Sequence, residues 1–187
     1  MDIELIKSLK DYRIEYLKKV TVPVEVVKAV EALKSNKFYN DRFNYNNLSD
    51  KEIINLKDNG GNTALMWASR HNNKDIVELL IKASADLNLK DNAGNTALIL
   101  VSLYNNKDIA ELLINAGADL NLKNNAGYTA LIWASRNNHK DIVELLIKAG
   151  ADLNLKNNYG HTALICANNK DIVKLLKKAG AKEWKIT

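Results

Sequence analysis

The chain has 187 residues, of which 47% are hydrophobic and 26% charged, an ordinary soluble composition that suits one large domain or a solenoid with an appendage. The single cysteine, Cys166, excludes an internal disulfide framework and suits a reducing compartment. No apolar run near the N-terminus is long enough for a signal peptide or a membrane span, so we expect a cytoplasmic location and no membrane partner. Export by a route without a signal peptide stays open.

The net charge of +5 is concentrated at one end of the chain. Residues 1–56 carry a net charge of +1 and residues 57–161 carry none, whereas residues 162–187 carry +4. The basic side chains of this last part are Lys170, Lys174, Lys177, Lys178, Lys182 and Lys185. A nucleic-acid binder would carry a basic stripe along its working face. We therefore interpret the lysines as a solvated end and expect no nucleic-acid partner.

The sequence pattern of residues 1–53 predicts helices. Apolar residues at helical spacing indicate an amphipathic helix over residues 1–20, and Pro23 ends it. A second helix is predicted from about Val24 to Ser35. The stretch 36–47 is rich in Asn and aromatic residues, which predicts packing against other parts of the protein. Ser49 and Glu52 have the spacing of a capping box, so a short helix should begin there.

The rest of the chain repeats itself every 33 residues. The tripeptide Thr-Ala-Leu begins at Thr63, Thr96, Thr129 and Thr162. The threonines are expected at helix N-caps, after hairpin loops that turn at Gly61, Gly94, Gly127 and Gly160. A short first helix, a left-handed Asn turn and a second helix should follow in each copy. The second helix should close at Gly117, Gly150 and Gly180, with Ser84 as a weaker cap in the first copy.

These motifs resemble the ankyrin repeat family, over roughly residues 54–187. The resemblance implies an all-α solenoid of helix-turn-helix pairs joined by β-hairpin loops. We expect four repeats over 54–187 and an N-terminal helical capping segment over 1–53. The fourth repeat lacks three residues at the end of its first helix. The family's usual Pro and His after the threonine are replaced by Ala and by Met or Ile, so the junction should depend more on apolar packing.

Side chains for catalysis or metal binding do not converge in this sequence. His161 and Cys166 lie five residues apart, and nothing supplies the further ligands that a metal site needs. Asp75, Asp108, Asp141 and Asp171 recur at one repeat position, which favours a role at helix N-termini over catalysis. We therefore expect a protein that is not an enzyme, with no metal and no cofactor.

Positions that differ between the repeats indicate where a partner would bind. Framework positions stay constant because each repeat must stack on its neighbours, whereas the hairpin tips and first helices vary. The resemblance implies that these parts line a concave surface that binds other proteins. Aromatic and Arg side chains dominate such interfaces. The predicted partner-binding residues are Arg70, Tyr104, Tyr128, Trp133, Arg136 and Tyr159.

The expected function is a protein–protein interaction module that is a monomer when free. An inhibitor that occludes a toxin or another enzyme, in the manner of an immunity protein, is one alternative. An enzyme or a nucleic-acid binder that acts through the N-terminal segment or the basic C-terminus is another. The identity of the partner is not encoded in any motif.

Overall fold

The structure is a computed structural model, and it describes residues 24–41 and 49–183. The predicted helix over residues 1–20 lies outside these ranges, as do residues 42–47 of the stretch rich in Asn and aromatic residues. The helices of the described ranges are α1 (Val24–Ser35), α2 (Lys37–Asn40), α3 (Asp50–Ile54), α4 (Ala64–Arg70), α5 (Lys74–Lys82), α6 (Ala97–Tyr104), α7 (Lys107–Asn115), α8 (Ala130–Arg136), α9 (Lys140–Lys148), α10 (Ala163–Cys166) and α11 (Lys170–Lys178). The prediction of an all-α ankyrin-type solenoid is confirmed.

The first helix of each repeat begins after a threonine N-cap, as predicted. The Thr63 hydroxyl accepts a hydrogen bond of 3.3 Å from the backbone N–H of Met66, which satisfies one of the free donors of the first turn. Thr96, Thr129 and Thr162 cap α6, α8 and α10 in the same way. The side chains that replace the usual histidine are buried, since Met66, Ile99 and Ile132 are each 1% exposed. The first three junctions therefore rest on apolar packing.

The turn between the two helices of a repeat needs left-handed backbone. Asn72, Asn105 and Asn138 adopt it, with φ of 57°, 63° and 64°. The residue that follows joins one repeat to the one before it. The Nδ2 of Asn106 donates to the Ser69 carbonyl at 2.7 Å, and the Nδ1 of His139 lies 2.9 Å from the Ser102 carbonyl.

The repeats stack in two rows. First helices α4, α6, α8 and α10 pack on one another in order, and second helices α5, α7, α9 and α11 form a second row, which we call the outer row. Helix α1 packs on α5 at the N-terminal end, where Ala29, Val30 and Leu33 are buried in the same apolar core as the repeats. The boundary between a capping segment 1–53 and repeats 54–187 stays a prediction.

Hydrogen bonds between successive hairpin loops repeat along the stack. The Nζ atoms of Lys57, Lys90 and Lys123 each donate to the carbonyl of the lysine one repeat later, at 2.7–2.8 Å. The side chains of Asn92, Asn125 and Asn158 each donate to a carbonyl one repeat earlier. At the turn itself, Gly61 has φ +75°, and a Cβ there would lie 2.8 Å from the backbone nitrogen of Asn92. Only glycine allows the loops to approach this closely.

The fourth repeat is shorter, as predicted. Helix α10 has four residues, whereas α4 and α8 each have seven. Leu164, Ile165 and Val173 are half-buried, although their counterparts in the earlier repeats are buried. Lys177 and Lys178 lie in the last turn of α11, where they complement the helix dipole. Within 24–41 and 49–183, no helix is long and apolar enough to cross a bilayer.

Candidate functional site

The C-terminal ends of the first helices carry arginines stacked on aromatic rings. In the first repeat, the Arg70 guanidinium carbon lies 5.7 Å from the centroid of Trp67 on its own helix and 4.9 Å from that of Tyr104 on α6. Cation–π attraction of this kind spans two repeats here. Arg70 is exposed and Tyr104 is 42% exposed, so another molecule can contact both side chains.

The Trp67 side chain is held in place by contacts with the preceding hairpin loop, with His71 and with α2. Its indole N–H donates a 2.8 Å hydrogen bond to Oδ2 of Asp58 in the preceding hairpin loop. The imidazole of His71 stacks on it at 5.6 Å with an interplanar angle of 10°, and the ring of Phe38 on α2 meets it edge-on at 5.7 Å. The role of Asp58 could not be predicted from the sequence. This aspartate lies nine residues before Trp67 in the hairpin loop, and no motif links it to the indole.

Asp58 accepts several hydrogen bonds at once. Its Oδ1 accepts hydrogen bonds from the backbone N–H groups of Gly60 and Asn62, which fix the turn. Its Oδ2 accepts the hydrogen bond from the Trp67 indole. Burial raises the pKa of the Asp58 carboxyl, but the hydrogen bonds from Trp67, Asn62 and Gly60 outweigh burial and hold the pKa below its usual value.

The third repeat also contains an arginine stacked on aromatic rings, with a different arrangement of residues. The ring of Tyr128 stacks on Trp133 with centroids 4.5 Å apart, and Arg136 lies 5.6 Å from the centroid of each ring. The Arg136 Nη1 also donates a 2.7 Å hydrogen bond to the Tyr128 hydroxyl. We call the six residues of these two clusters the arginine–aromatic surface: Trp67, Arg70, Tyr104, Tyr128, Trp133 and Arg136.

Tyr128, one of the predicted partner-binding residues, is buried. It is only 7% exposed, because its ring is covered by Trp133 and Arg136. It therefore supports its neighbours and offers a partner very little of its ring. Trp133 is half-buried and Arg136 is exposed.

Among the residues that the structure describes, the indole N–H of Trp133 has no hydrogen-bond partner, although the nitrogen is buried. The position of Asp58 is occupied in this repeat by Asn124. The Oδ1 of Asn124 accepts the backbone N–H groups of Ala126 and Tyr128, and its Nδ2 donates to Oδ1 of Asn95. An amide has one acceptor oxygen where a carboxylate has two, so no acceptor is left for the indole.

Tyr159 stands apart from the other predicted contacts. It lies at the tip of the fourth hairpin loop and is 69% exposed. The centroid of its ring lies 6.4 Å from that of the His161 ring. The structure thus brings together Arg70 with Tyr104, and Tyr128 with Trp133 and Arg136, and leaves Tyr159 outside both clusters.

The described residues hold no group of three or more His, Cys, Asp or Glu side chains placed to bind a metal ion. Cys166 is half-buried on α10. Burial raises the pKa of its thiol, and the nearby Arg136 only partly opposes the shift, so the reactive thiolate is disfavoured.

Comparison with known families agrees with this geometry. A family model described as ankyrin repeats (three copies) matches residues 27–124 and again residues 117–186. No curated protein matches the sequence. Ankyrin repeats are generally protein–protein interaction modules. With most of its length matched and four repeats stacked in register, the chain belongs to the ankyrin-repeat family.

Proposed function

We propose that the protein is a non-enzymatic binder that holds a partner protein on its arginine–aromatic surface, together with Tyr159. The observation that carries this proposal is the twofold occurrence of an exposed arginine over aromatic rings, at the ends of α4 and α8. Such side chains are the ones that most often anchor protein interfaces.

The stacking framework does not require these residues. In the second repeat the counterparts of Trp67 and Arg70 are Leu100 and Leu103, and the repeat still stacks on both neighbours. The arginine–ring contacts also hold the guanidinium groups in place before a partner arrives. This reduces the side-chain entropy that binding would cost.

The surface lies on the first helices and, at Tyr128, on the hairpin loop before α8; these parts line the concave side in ankyrin proteins. We propose that the partner docks there, that the free protein is a monomer, and that it acts in the cytoplasm. Neither a nucleic acid nor a membrane is the partner in this proposal. The partner's identity would decide between a scaffold and an inhibitor that occludes an enzyme.

The test is quantitative affinity capture from the source cells with three forms of the protein. The first is the wild type, the second is Arg70→Ala with Tyr104→Ala, and the third is Lys74→Ala with Lys82→Ala on the outer row. We expect one protein to be captured by the first and third forms and lost with the second. Truncating one anchor typically costs about 2 kcal/mol, or roughly 30-fold in affinity.

Capture that survives the Arg70 and Tyr104 changes but fails with the outer-row changes would place the interface on the other side. The helical signal and the melting temperature of each variant show whether it is folded. If the captured protein is an enzyme, its activity in the complex distinguishes an inhibitor from a scaffold.

A further inference from the structure

The outer row of second helices contains grooves that can be compared with one another. One groove lies between α7 and α9 and has a volume of about 180 Å³. Its lining residues are Lys107, Asp141, Glu144, Leu145 and Lys148. The next groove, between α9 and α11, has a volume of about 220 Å³. Its lining residues are Lys140, Asp171, Lys174, Leu175 and Lys178.

These two grooves are the same site one repeat apart. In each, a lysine on one helix pairs with an aspartate on the next: Lys107 with Asp141 at 3.1 Å, and Lys140 with Asp171 at 3.7 Å. The groove between α7 and α9 has two basic and two acidic lining residues and is neutral. The groove between α9 and α11 has three basic residues and one acidic residue, so its net charge is +2.

A single position produces this difference. Lys174 stands where the earlier repeats have Glu78, Glu111 and Glu144. All four side chains are at least partly exposed. Because three repeats stack with glutamate at this position, the lysine is not needed for the stack. The net charge of the second helices is 0 for α5, −1 for α7, 0 for α9 and +3 for α11.

A further lysine extends the basic surface of α11. Lys177 replaces the isoleucine found at residues 81, 114 and 147. Its ammonium group forms an ion pair with the carboxylate of Glu183, which follows the helix. Within the described ranges, Lys174 and Lys178 form no ion pair, so they can bind a carboxylate from another molecule.

We propose that the groove between α9 and α11 binds an acidic segment of a partner protein. The bottom of the groove is apolar at Leu175, which is half-buried. The segment would place carboxylates against Lys174 and Lys178 and an apolar side chain against Leu175. This surface lies on the outer row, apart from the arginine–aromatic surface, and does not depend on it.

A protein segment fits this groove better than a membrane does. A lipid surface would meet the lysine tips in one plane, whereas here Asp171 and the Lys140 side chain that it holds line the same recess. Each of the two helices has nine residues, about 13 Å in length, which matches an extended segment of about four residues.

The test uses a fluorescein-labelled hexapeptide, Glu-Glu-Leu-Glu-Glu-Leu, with binding to the full chain followed by fluorescence anisotropy at low salt. The groove variant is Lys174→Glu with Lys178→Gln. The matched control is Lys74→Glu with Lys82→Gln on α5, which makes the same change in net charge on the corresponding helix of the first repeat. Lys174→Glu restores the residue of the other repeats, so the fold should persist.

We expect the groove variant to weaken peptide binding about tenfold and the control to weaken it less than about twofold. The single change Lys174→Gln should give an intermediate loss, and a Gln-Gln-Leu-Gln-Gln-Leu peptide should not bind. Raising the salt concentration should weaken wild-type binding, because the lysines are exposed.

Three results would overturn the proposal. One is no binding of the acidic peptide by the wild type, and another is an equal loss with the groove and control variants. The third is tighter binding of phosphatidylserine vesicles or of a single-stranded oligonucleotide at the same lysines. That result would assign the groove to a lipid or to a nucleic acid.

Discussion

The indole N–H of Trp67 donates a 2.8 Å hydrogen bond to Asp58, whereas the corresponding indole of Trp133 finds no acceptor within residues 24–41 and 49–183, because Asn124 occupies the place of the aspartate. The two tryptophans otherwise occupy the same position of the repeat and are both half-buried. The chain therefore contains its own matched pair for measuring what this hydrogen bond contributes.

Trp67→Phe should destabilise the protein more than Trp133→Phe. Both changes remove an indole N–H and part of a ring, but only the first breaks a hydrogen bond and takes a donor from Asp58. We expect a difference of about 1–2 kcal/mol in the free energy of unfolding, measured by urea denaturation. Equal losses in the two variants would mean that the bond adds nothing to stability.

The contribution of Asp58 should depend on pH. Its pKa is lowered in the folded state, so the stabilisation is present above the unfolded-state pKa of about 4 and is lost as the pH falls through the folded value. The difference in unfolding free energy between the wild type and Asp58→Asn should therefore be larger at pH 7 than at pH 3.

Asp91→Asn is the control for this experiment, since residue 100 of the second repeat is Leu and supplies no indole donor. Asp91 accepts the same turn hydrogen bonds from the backbone of residues 93 and 95. The pH-dependent part of the loss should be smaller for this variant. The same pH dependence in both variants would trace the effect to the turn and not to the indole.

Ser84→Gly should stabilise the first repeat. Ser84 follows α5 in left-handed backbone with φ of 60°, at the position where the later repeats have glycine, as at Gly117 with φ of 88°. Left-handed backbone costs free energy for an L-residue other than Asn or Asp. We therefore expect the free energy of unfolding to rise by about 1 kcal/mol, measured by thermal denaturation.

The reverse change, Gly117→Ser, tests the same point without a steric clash, because a Cβ at Gly117 would meet nothing within 4 Å. It should lower stability by a similar amount. A neutral effect at both positions would show that the repeats tolerate either backbone state at the end of the second helix.

The fourth repeat should open before the third. Helix α10 has four residues, little more than one turn, and Leu164, Ile165 and Val173 keep part of their apolar surface in water. In a linear stack, stability is approximately a sum over neighbouring repeats, so the end with the smallest interface opens first. Amide hydrogen exchange should be faster over residues 163–178 than over residues 130–148. Slower exchange there would contradict this account.

Much of the fold could be predicted because its signals are local. The threonine caps and the left-handed Asn72, Asn105 and Asn138 follow from the preferences of single residues, and the period of the repeat supplied the rest. The burial of Tyr128 could not be predicted. The equivalent residues Asn62 and Asn95 are half-exposed, whereas the tyrosine ring is removed from water by Trp133 and Arg136, which pack on it.

The hydrogen bonds between hairpin loops would be kept if the protein gained or lost a whole repeat of 33 residues. Each lysine donates to a carbonyl 33 residues later, and each loop asparagine to a carbonyl 33 residues earlier. Loss of residues 90–122 would bring Lys57 against the carbonyl of Lys123 with the same groups facing each other. A duplication would keep the same bonds, so the lysine and asparagine contacts between loops survive the gain or loss of a whole repeat. Loss of residues 90–122 would also take Tyr104 away from Arg70, so the same event would change the arginine–aromatic surface.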